Sequence, residues 1–239
     1  KGCVSMSLFT FKKGLHLPYN KEFTKDKSIE VFEPKKELIF PLSQHIGAPC
    51  EPIVKIGQKV FVNEKIADSS AFVSAPIHSS VSGTVKDIRE IQSMNGSNVK
   101  AIIIENDSKY EKYPRENLKY SSKLSLKDVV KLVKDYGIVG LGGATFPCHV
   151  KLNVKEDKEI KYIIINAAEC EPYLTCDHRV MLEYTEEIIS GLRILLELFP
   201  KALIYIGIED NKLNAIDKFK SILGEDNKIK VMPLKSKYP

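Results

Sequence analysis

Apolar positions change their spacing near residue 125. Before that point they come in short runs, at 38–42, 53–56, 59–62, 71–73, 81–88 and 99–104, separated by Gly, Pro, Asn or Ser. Runs of that length between turn residues predict β-strands, and no stretch of 29–105 keeps a helical period. After 125 the spacing becomes three and four. Leu126, Val129, Val130 and Val133 share one helical face, with Ser125 placed to cap the start and Gly137 to close the end. A strand follows at 160–166, then a helix over about 178–199 with Asp177 as its cap, and a strand at 202–208. Asp210 is placed to cap a further helix, with Leu213, Ile216, Phe219 and Leu223 inward and Gly224 closing it; a last strand spans 229–234. The run 160–166 reads as continuous, which predicts a strand covered on both faces. Strand–helix–strand–helix–strand at this spacing predicts a parallel sheet with right-handed crossovers.

The chain therefore divides into an irregular lead-in (1–28), an all-β domain (29–105), a polar linker (106–124) and an α/β domain (125–239) that is incomplete at its end. In the β half, Val54-Lys55-Ile56-Gly57-Gln58-Lys59-Val60 and the segment from Ala75 to Val85 share an apolar–Gly–polar–x–Val cadence. This resembles the internally symmetric barrel-sandwich hybrid of biotinyl and lipoyl carriers. Those carriers need a hairpin lysine, and no Lys stands between Lys65 and Lys86. The domain is accordingly expected to be structural, with His78 as a turn residue.

Composition narrows the class. Hydrophobic residues make up 43% and charged residues 28% of 239, as in ordinary globular domains. The net charge of +5 is spread among interleaved signs. No basic stripe with interleaved aromatics points to nucleic acid. No apolar run reaches the roughly 18–20 residues of a membrane span, and Lys1-Gly2-Cys3-Val4-Ser5-Met6 does not read as a signal peptide. Five cysteines, an odd number with no Cys-x-x-Cys pair, argue against a disulfide framework, a zinc ribbon or a local iron–sulfur cluster. The expectation is a reducing, cytoplasmic setting. Cys148, His149, Cys170, Cys176 and His178 fit no common zinc spacing, so no metal ligand is assigned; Cys170 and Cys176 are expected to pack near the loop that carries them.

In an open parallel sheet, ligands sit beyond the carboxyl ends of the strands. That rule selects two loops, 167–179 and Glu209-Asp210-Asn211, both polar and acidic after an apolar strand. A third candidate is the Gly-rich stretch from Gly137 to Lys151, which contains Gly140-Leu141-Gly142-Gly143-Ala144-Thr145-Phe146-Pro147. It is not the dinucleotide fingerprint, because Thr145 stands at the third glycine position and a helix precedes it. Nor does it contain the Gly-Lys-Ser/Thr of a phosphate-binding P-loop. Three glycines in four residues leave backbone N–H groups free and let the main chain approach a flat ring or a phosphate. Lys151 supplies a positive charge nearby. A tight turn is the alternative.

Taken together, Gly140 to Leu152 and Ile165-Asn166-Ala167-Ala168-Glu169-Cys170-Glu171-Pro172-Tyr173-Leu174-Thr175-Cys176-Asp177-His178-Arg179 resemble the RnfC family, the C-type subunits of the Rnf complex, a membrane-bound ferredoxin:NAD oxidoreductase that moves Na⁺ or H⁺. Phe11-Lys12-Lys13-Gly14-Leu15-His16, Pro41 to Pro49 and Ser74 to Val85 extend the resemblance over most of the chain. The two loops also look like those of the NADH-binding flavoprotein subunit of respiratory complex I. The resemblance implies a barrel-sandwich hybrid followed by a Rossmann-like parallel sheet. It implies that Gly140, Gly142, Gly143 and Ala144 line flavin mononucleotide (FMN), with Lys151 near its polar tail, Phe146 flanking the nicotinamide or adenine ring, Asn166 and Glu169 hydrogen-bonded to the flavin, and Glu171 at the nicotinamide nucleotide (NAD(H)). No protein group is assigned as catalytic, since the cofactor performs the hydride chemistry. The resemblance further implies two [4Fe–4S] clusters in a segment beyond Pro239, other Rnf subunits as partners, ferredoxin reached indirectly, and a peripheral place on the cytoplasmic side of the membrane. Ala168 stands where the complex I type has Asp, and Cys148 where a Thr is expected. Two other readings fit the same residues: a related soluble electron carrier for a fermentative reductase, and a non-catalytic docking module.

Overall fold

The computed structural model describes residues 9–34, 36–94, 96–114, 124–141, 143–155 and 158–238. Gly142 and residues 115–123 of the expected linker lie outside the described residues. Two compact units are formed, Phe32–Lys155 in one and the described residues of 9–31 and 158–238 in the other. Residues 124–155 thus group with the β-rich unit, and the lead-in groups with the α/β sheet.

The β-rich unit contains β1 (Glu37–Pro41), β2 (Glu51–Pro52), β3 (Lys59–Val60), β4 (Lys65–Asp68), β5 (Ile77–His78), β6 (Gly83–Gln92) and β7 (Asn98–Asn106). One antiparallel sheet runs β1-β7-β6-β3 and a second runs β2-β4-β5. The centre of β7, Ala101-Ile102-Ile103-Ile104, is fully buried. Phe40 and Val85 from one sheet, with Leu42 just beyond β1, meet Ile66, Ala67 and Ile77 from the other in a single core; each large side chain buried there contributes about 1.5–3 kcal/mol. The β6–β7 register slips between Val85 and Asp87, and such a bulge bends and twists the ribbon. This is the barrel-sandwich hybrid that the sequence predicts. Its strand list differs in detail. Residues 53–56 and 71–73 are not strands: Ile53 and Ile56 are exposed, and the Val73 carbonyl instead accepts the Ala48 N–H at 3.0 Å. Lys65–Asp68 is a strand, although a polar–apolar–apolar–polar tetrad has no alternation to show it. His78 lies in β5 and not in a turn.

Helix α1 (Leu126–Asp135) begins with a capping box: Ser125 Oγ accepts the Asp128 N–H and the Asp128 carboxylate accepts the Ser125 N–H. It closes at Gly137, whose φ of 65° is the left-handed C′ conformation. A short helix α2 (Cys148–Leu152) follows.

The second unit holds β8 (Tyr162–Ala167), α3 (Cys176–Glu183), α4 (Thr185–Leu198), β9 (Leu203–Glu209), α5 (Leu213–Leu223) and β10 (Ile229–Leu234). The three strands are parallel in the order β10-β9-β8. Ile204, Ile206 and Ile208 of β9 pack with Ile163, Ile165 and Ala167 against Met181, Ile189, Leu192, Ile216 and Phe219. The helices therefore cover one face. On the opposite face Tyr162 and Ile164 of β8 are 62% and 76% exposed, so β8 is an edge strand covered on one side, not both. Three further expectations change. The helix predicted over 178–199 is two helices that break at Tyr184. Asp210 does not cap α5; its carboxylate accepts from Ser236 and Lys235, and Lys212 is the residue at the helix start. Leu213 is exposed, while Ala215, Ile216, Phe219 and Leu223 face inward and Gly224 closes the helix.

Candidate functional site

β8 ends at Ala167 and β9 at Glu209, so the polar loops chosen from sequence stand at the carboxyl edge of the sheet. Glu209 is buried, and so are Glu169, Lys212 and Lys21. Glu209 Oε2 accepts the Glu169 N–H at 3.0 Å and the Lys212 ammonium at 2.5 Å. The Lys212 ammonium also donates to Asn211 Oδ1 at 2.9 Å. Glu169 Oε1 accepts the Asp177 N–H at 2.8 Å and the Cys176 thiol at 3.4 Å; its other oxygen lies 3.5 Å from the Lys21 ammonium. Two buried carboxylates thus face two buried ammonium groups, the arrangement that makes burial of charge tolerable. Glu169 performs the capping that the sequence assigned to Asp177. An acceptor from eight residues upstream ties the end of β8 to the start of α3.

Burial sets the local protonation. It lowers the Lys21 ammonium below the usual lysine range, helped by repulsion from Lys212 and opposed by Glu169. It raises the Asp177 carboxyl, and the Glu169 charge adds to that. It lowers His178, whose Nε2 lies 2.8 Å from Asn214 Oδ1. Because the same Oδ1 also accepts the Ala215 N–H, His178 is the donor.

A cavity of about 390 Å³ opens at this edge, lined by Phe9, Phe11, Asn166, Ala168, Cys170, Glu209, Lys235 and Lys237 among others. That volume is within the range of small-molecule sites, and the lining offers aromatic rings, an amide and two ammonium groups. Asn166 is exposed there, its Oδ1 accepting the Ala168 N–H at 3.1 Å. Glu171 is exposed, with its carboxylate accepting the Tyr238 hydroxyl at 3.3 Å. Two buried polar atoms beside the loop, Tyr19 Oη and Glu169 Oε2, lack a hydrogen-bond partner among the described residues. Burial raises the Tyr19 phenol, with the nearby Glu209 charge second. Glu169, Cys176 and Asp177 bring ligand atoms within 4.8 Å of one another, but the Lys21 ammonium already supplies the positive charge at Glu169. Cys176 is exposed and Cys170 half-buried, so only the latter approaches the packing role expected of both.

The glycine-rich loop belongs to the β-rich unit. It is a tight hairpin: Gly140 N–H donates to the Phe146 carbonyl at 2.8 Å and Cys148 N–H to the Ile138 carbonyl at 3.0 Å. Its tip is fastened by Ile46 N–H to the Ala144 carbonyl at 3.1 Å and by the Thr145 hydroxyl to the Gln44 carbonyl at 3.0 Å. His149 Nε2 meets the Phe72 carbonyl at 3.0 Å. The glycines differ in what they do. A Cβ on Gly137 would fall 2.4 Å from the Pro76 carbonyl oxygen; one on Gly143, at φ +63°, would meet nothing within 4 Å. A Cβ on Gly140 would lie 2.9 Å from the Lys151 ammonium, which stands 6.0 Å from the Phe146 ring. The structure therefore gathers Gly140, Phe146 and Lys151 at one hairpin with Gly143 and Ala144 at its tip. Asn166, Glu169 and Glu171 share one loop of the other unit. Sequence reasoning missed Lys21 and Lys212; the only available signal for them was the need of Glu169 and Glu209 for counter-charges.

The chain thus combines a sandwich-hybrid unit with a parallel sheet that carries polar, acidic loops at its carboxyl edge. Residues 9–109 match the RnfC barrel sandwich hybrid domain, and residues 133–239 match the Nuo51 FMN-binding domain. The RnfC-type component of the Na⁺-translocating ferredoxin:NAD⁺ oxidoreductase complex of Acetobacterium woodii is 41% identical over 233 residues, covering 96% of this chain and 52% of that protein. Its counterpart in the proton-translocating ferredoxin:NAD⁺ oxidoreductase complex of Clostridium ljungdahlii is 41% identical over 235 residues, covering 97% and 51%. The corresponding component of the ion-translocating oxidoreductase complex of Haemophilus influenzae is 34% identical over 237 residues, covering 98% and 36%. Over nearly its whole length the chain is similar to these RnfC-type proteins, and it spans about half the length of the first two relatives. Among the described residues no helix is long and apolar enough to cross a membrane.

Proposed function

We propose that this chain is the FMN- and NAD(H)-handling part of an electron-transfer subunit in a membrane-associated ferredoxin:NAD oxidoreductase that moves Na⁺ or H⁺. The observation that carries the reading is that one FMN-binding domain match, 133–239, contains both the glycine hairpin and the acidic loop. The residues present fit the cofactor. Gly143 leaves open space over its backbone, Lys151 places an ammonium beside Gly140, and the cavity at Asn166 offers rings and cations at the carboxyl ends of the strands. In this reading Gly140, Gly142, Gly143 and Ala144 lie along FMN and Lys151 neutralises its phosphate. Asn166 and Glu169 hydrogen-bond the flavin, and Phe146 and Glu171 address NAD(H). The flavin, when bound, supplies the step from hydride to single electrons; the protein stacks, orients and excludes water.

The division at 106–124, with 125–239 as the flavin-handling part, belongs to the same proposal. So do [4Fe–4S] clusters carried outside these residues, the other Rnf subunits as partners, ferredoxin reached through them, and a peripheral position on the cytoplasmic side. The test is anaerobic reduction of the longer, reconstituted protein by NADH. Bleaching of the flavin band followed by reduction of clusters supports the reading. A flavin-free protein, or a bound flavin that NADH leaves oxidised, overturns it.

A further inference from the structure

Between residues 18 and 29 the chain reads as a polar lead-in, yet it is bonded closely to the loop that follows β8. The Lys21 side chain, with 9% of its surface exposed, donates to the carbonyls of Leu174 at 2.6 Å, Glu169 at 2.7 Å and Glu171 at 3.1 Å. One ammonium therefore fills its three donor positions with backbone oxygens from a single six-residue stretch, and a carboxylate at 3.5 Å balances its charge. Neighbours add to the clamp. The Tyr173 N–H donates to the Tyr19 carbonyl at 2.8 Å, the Thr24 hydroxyl donates to the Tyr173 carbonyl at 3.3 Å, and Phe23 stacks on Tyr173 with ring centroids 6.3 Å apart.

An ion pair for charge balance alone does not need this geometry. Lys212 shows the contrast. It is still more deeply buried and pairs with Glu209, but its remaining side-chain bond is to the Asn211 side chain and not to the acidic loop's backbone. Charge-assisted bonds to carbonyls are the stronger kind. Three of them drawn to one point turn the carbonyls of 169, 171 and 174 inward and fix the curvature of the loop. Glu171, bonded through its own carbonyl, is then held with its carboxylate on the exposed side.

We infer that Lys21 is the positioning residue of the nucleotide-facing loop: its ammonium is the template around which 169–174 folds, and the loop presents Glu171 only when that template is in place. The inference rests on the proposed function for its consequence, namely ligand affinity, but not for the loop geometry itself. Lys21 touches no ligand in this account and acts through the loop.

The experiment compares two charge-neutral double variants of the 239-residue chain. Lys21→Met with Glu169→Gln removes one ion pair and releases the three carbonyls. Lys212→Met with Glu209→Gln removes the other pair and releases none. Gln retains a side-chain oxygen to accept the Asp177 or Glu169 N–H, so both are designed to stay folded. Hydrogen exchange at Tyr173 and Asp177 is read with and without FMN or NADH. For the Lys21 variant, exchange is expected to accelerate about tenfold or more, as loss of charge-assisted bonds implies, with β9 and α5 unchanged. For the Lys212 variant the loop is expected to change less than about threefold. NADH affinity is expected to fall with the first variant. Equal exchange in the Lys21 variant and the parent, or equal acceleration in both variants, overturns the positioning role. If the parent binds neither nucleotide while the exchange contrast holds, the functional reading fails and the role of Lys21 stands. If the Lys21 variant does not fold, Lys21→Arg decides. A longer, forked cation that keeps the charge must still disturb the loop exchange, and unchanged exchange overturns the inference.

Discussion

The Lys151 ammonium stands 2.9 Å from the point where a Cβ on Gly140 would project. The hairpin that joins them is closed by its own backbone, Gly140 N–H to the Phe146 carbonyl at 2.8 Å. A cation, an aromatic ring and a stretch of bare main chain are thereby set at one turn, the combination that suits a flat anionic ligand. Not every glycine of the motif serves that end, and the first prediction separates them.

Gly137→Ala is expected to destabilise the β-rich unit by about 2–3 kcal/mol. It adds a Cβ at positive φ and drives it to 2.4 Å from the Pro76 carbonyl. Gly143→Ala meets no neighbour within 4 Å and is expected to cost about 1 kcal/mol from φ alone. Urea unfolding of the two variants measures the difference; equal losses would refute the division of roles.

The pH dependence of the α/β unit is expected to follow His178. Burial lowers its folded-state pKa below the ordinary value of 6.5, so the unfolded chain binds the proton first on acidification. Stability is then complete above about pH 6.5 and declines as the pH falls toward the folded value, by at most about 1.4 kcal/mol per unit from this group. His178→Gln retains an N–H donor for Asn214 without a titrating ring. Thermal melts between about pH 7.5 and 5.5 should show a shallower slope for the variant; an unchanged slope would remove His178 as the cause.

The one-sided sheet predicts an asymmetry between two isoleucines. Ile206 is 1% exposed in the helix-covered core, whereas Ile164 is 76% exposed on the open face. Ile206→Ala is expected to cost about 2–5 kcal/mol and Ile164→Ala to stay within about 0.5 kcal/mol. Denaturant midpoints of the two variants check this directly, and a large loss at Ile164 would mean that the open face is covered in solution.

These contrasts show what the sequence made legible. Ser125 and Asp128 lie three apart before an apolar face, and Gly137 follows it, so α1 could be read at both ends from local chemistry. The alternation that makes β8 one-sided was hidden, because Tyr162 and Ile164 are as apolar as the buried Ile204 and Ile206. The break between α3 and α4 at Tyr184 carries no Gly or Pro to announce it. The cap of α3 comes from Glu169 and not from Asp177, since the competing acceptor reaches it only once β8 and α3 are in place. The site divided in the same way. Gly140 to Lys151 and Asn166 to Glu171 were visible as motifs. Lys21 was not, because its partners lie 148 to 153 residues away and nothing local distinguishes it from the solvated lysines around it.

The central claim is tested most directly by titrating the 239-residue chain with FMN and following flavin fluorescence, with Gly143→Asp and Gly57→Asp in parallel. Both glycines have positive φ and open space for a side chain, so the two substitutions impose similar strain and the same charge. Only Gly143 lies in the proposed cradle. The account predicts saturable quenching in the parent, retained in Gly57→Asp and weakened by at least about tenfold in Gly143→Asp, the effect of about 1.4 kcal/mol of repulsion at a phosphate or ring. No saturable binding in the parent, or equal affinity in both variants, would contradict it.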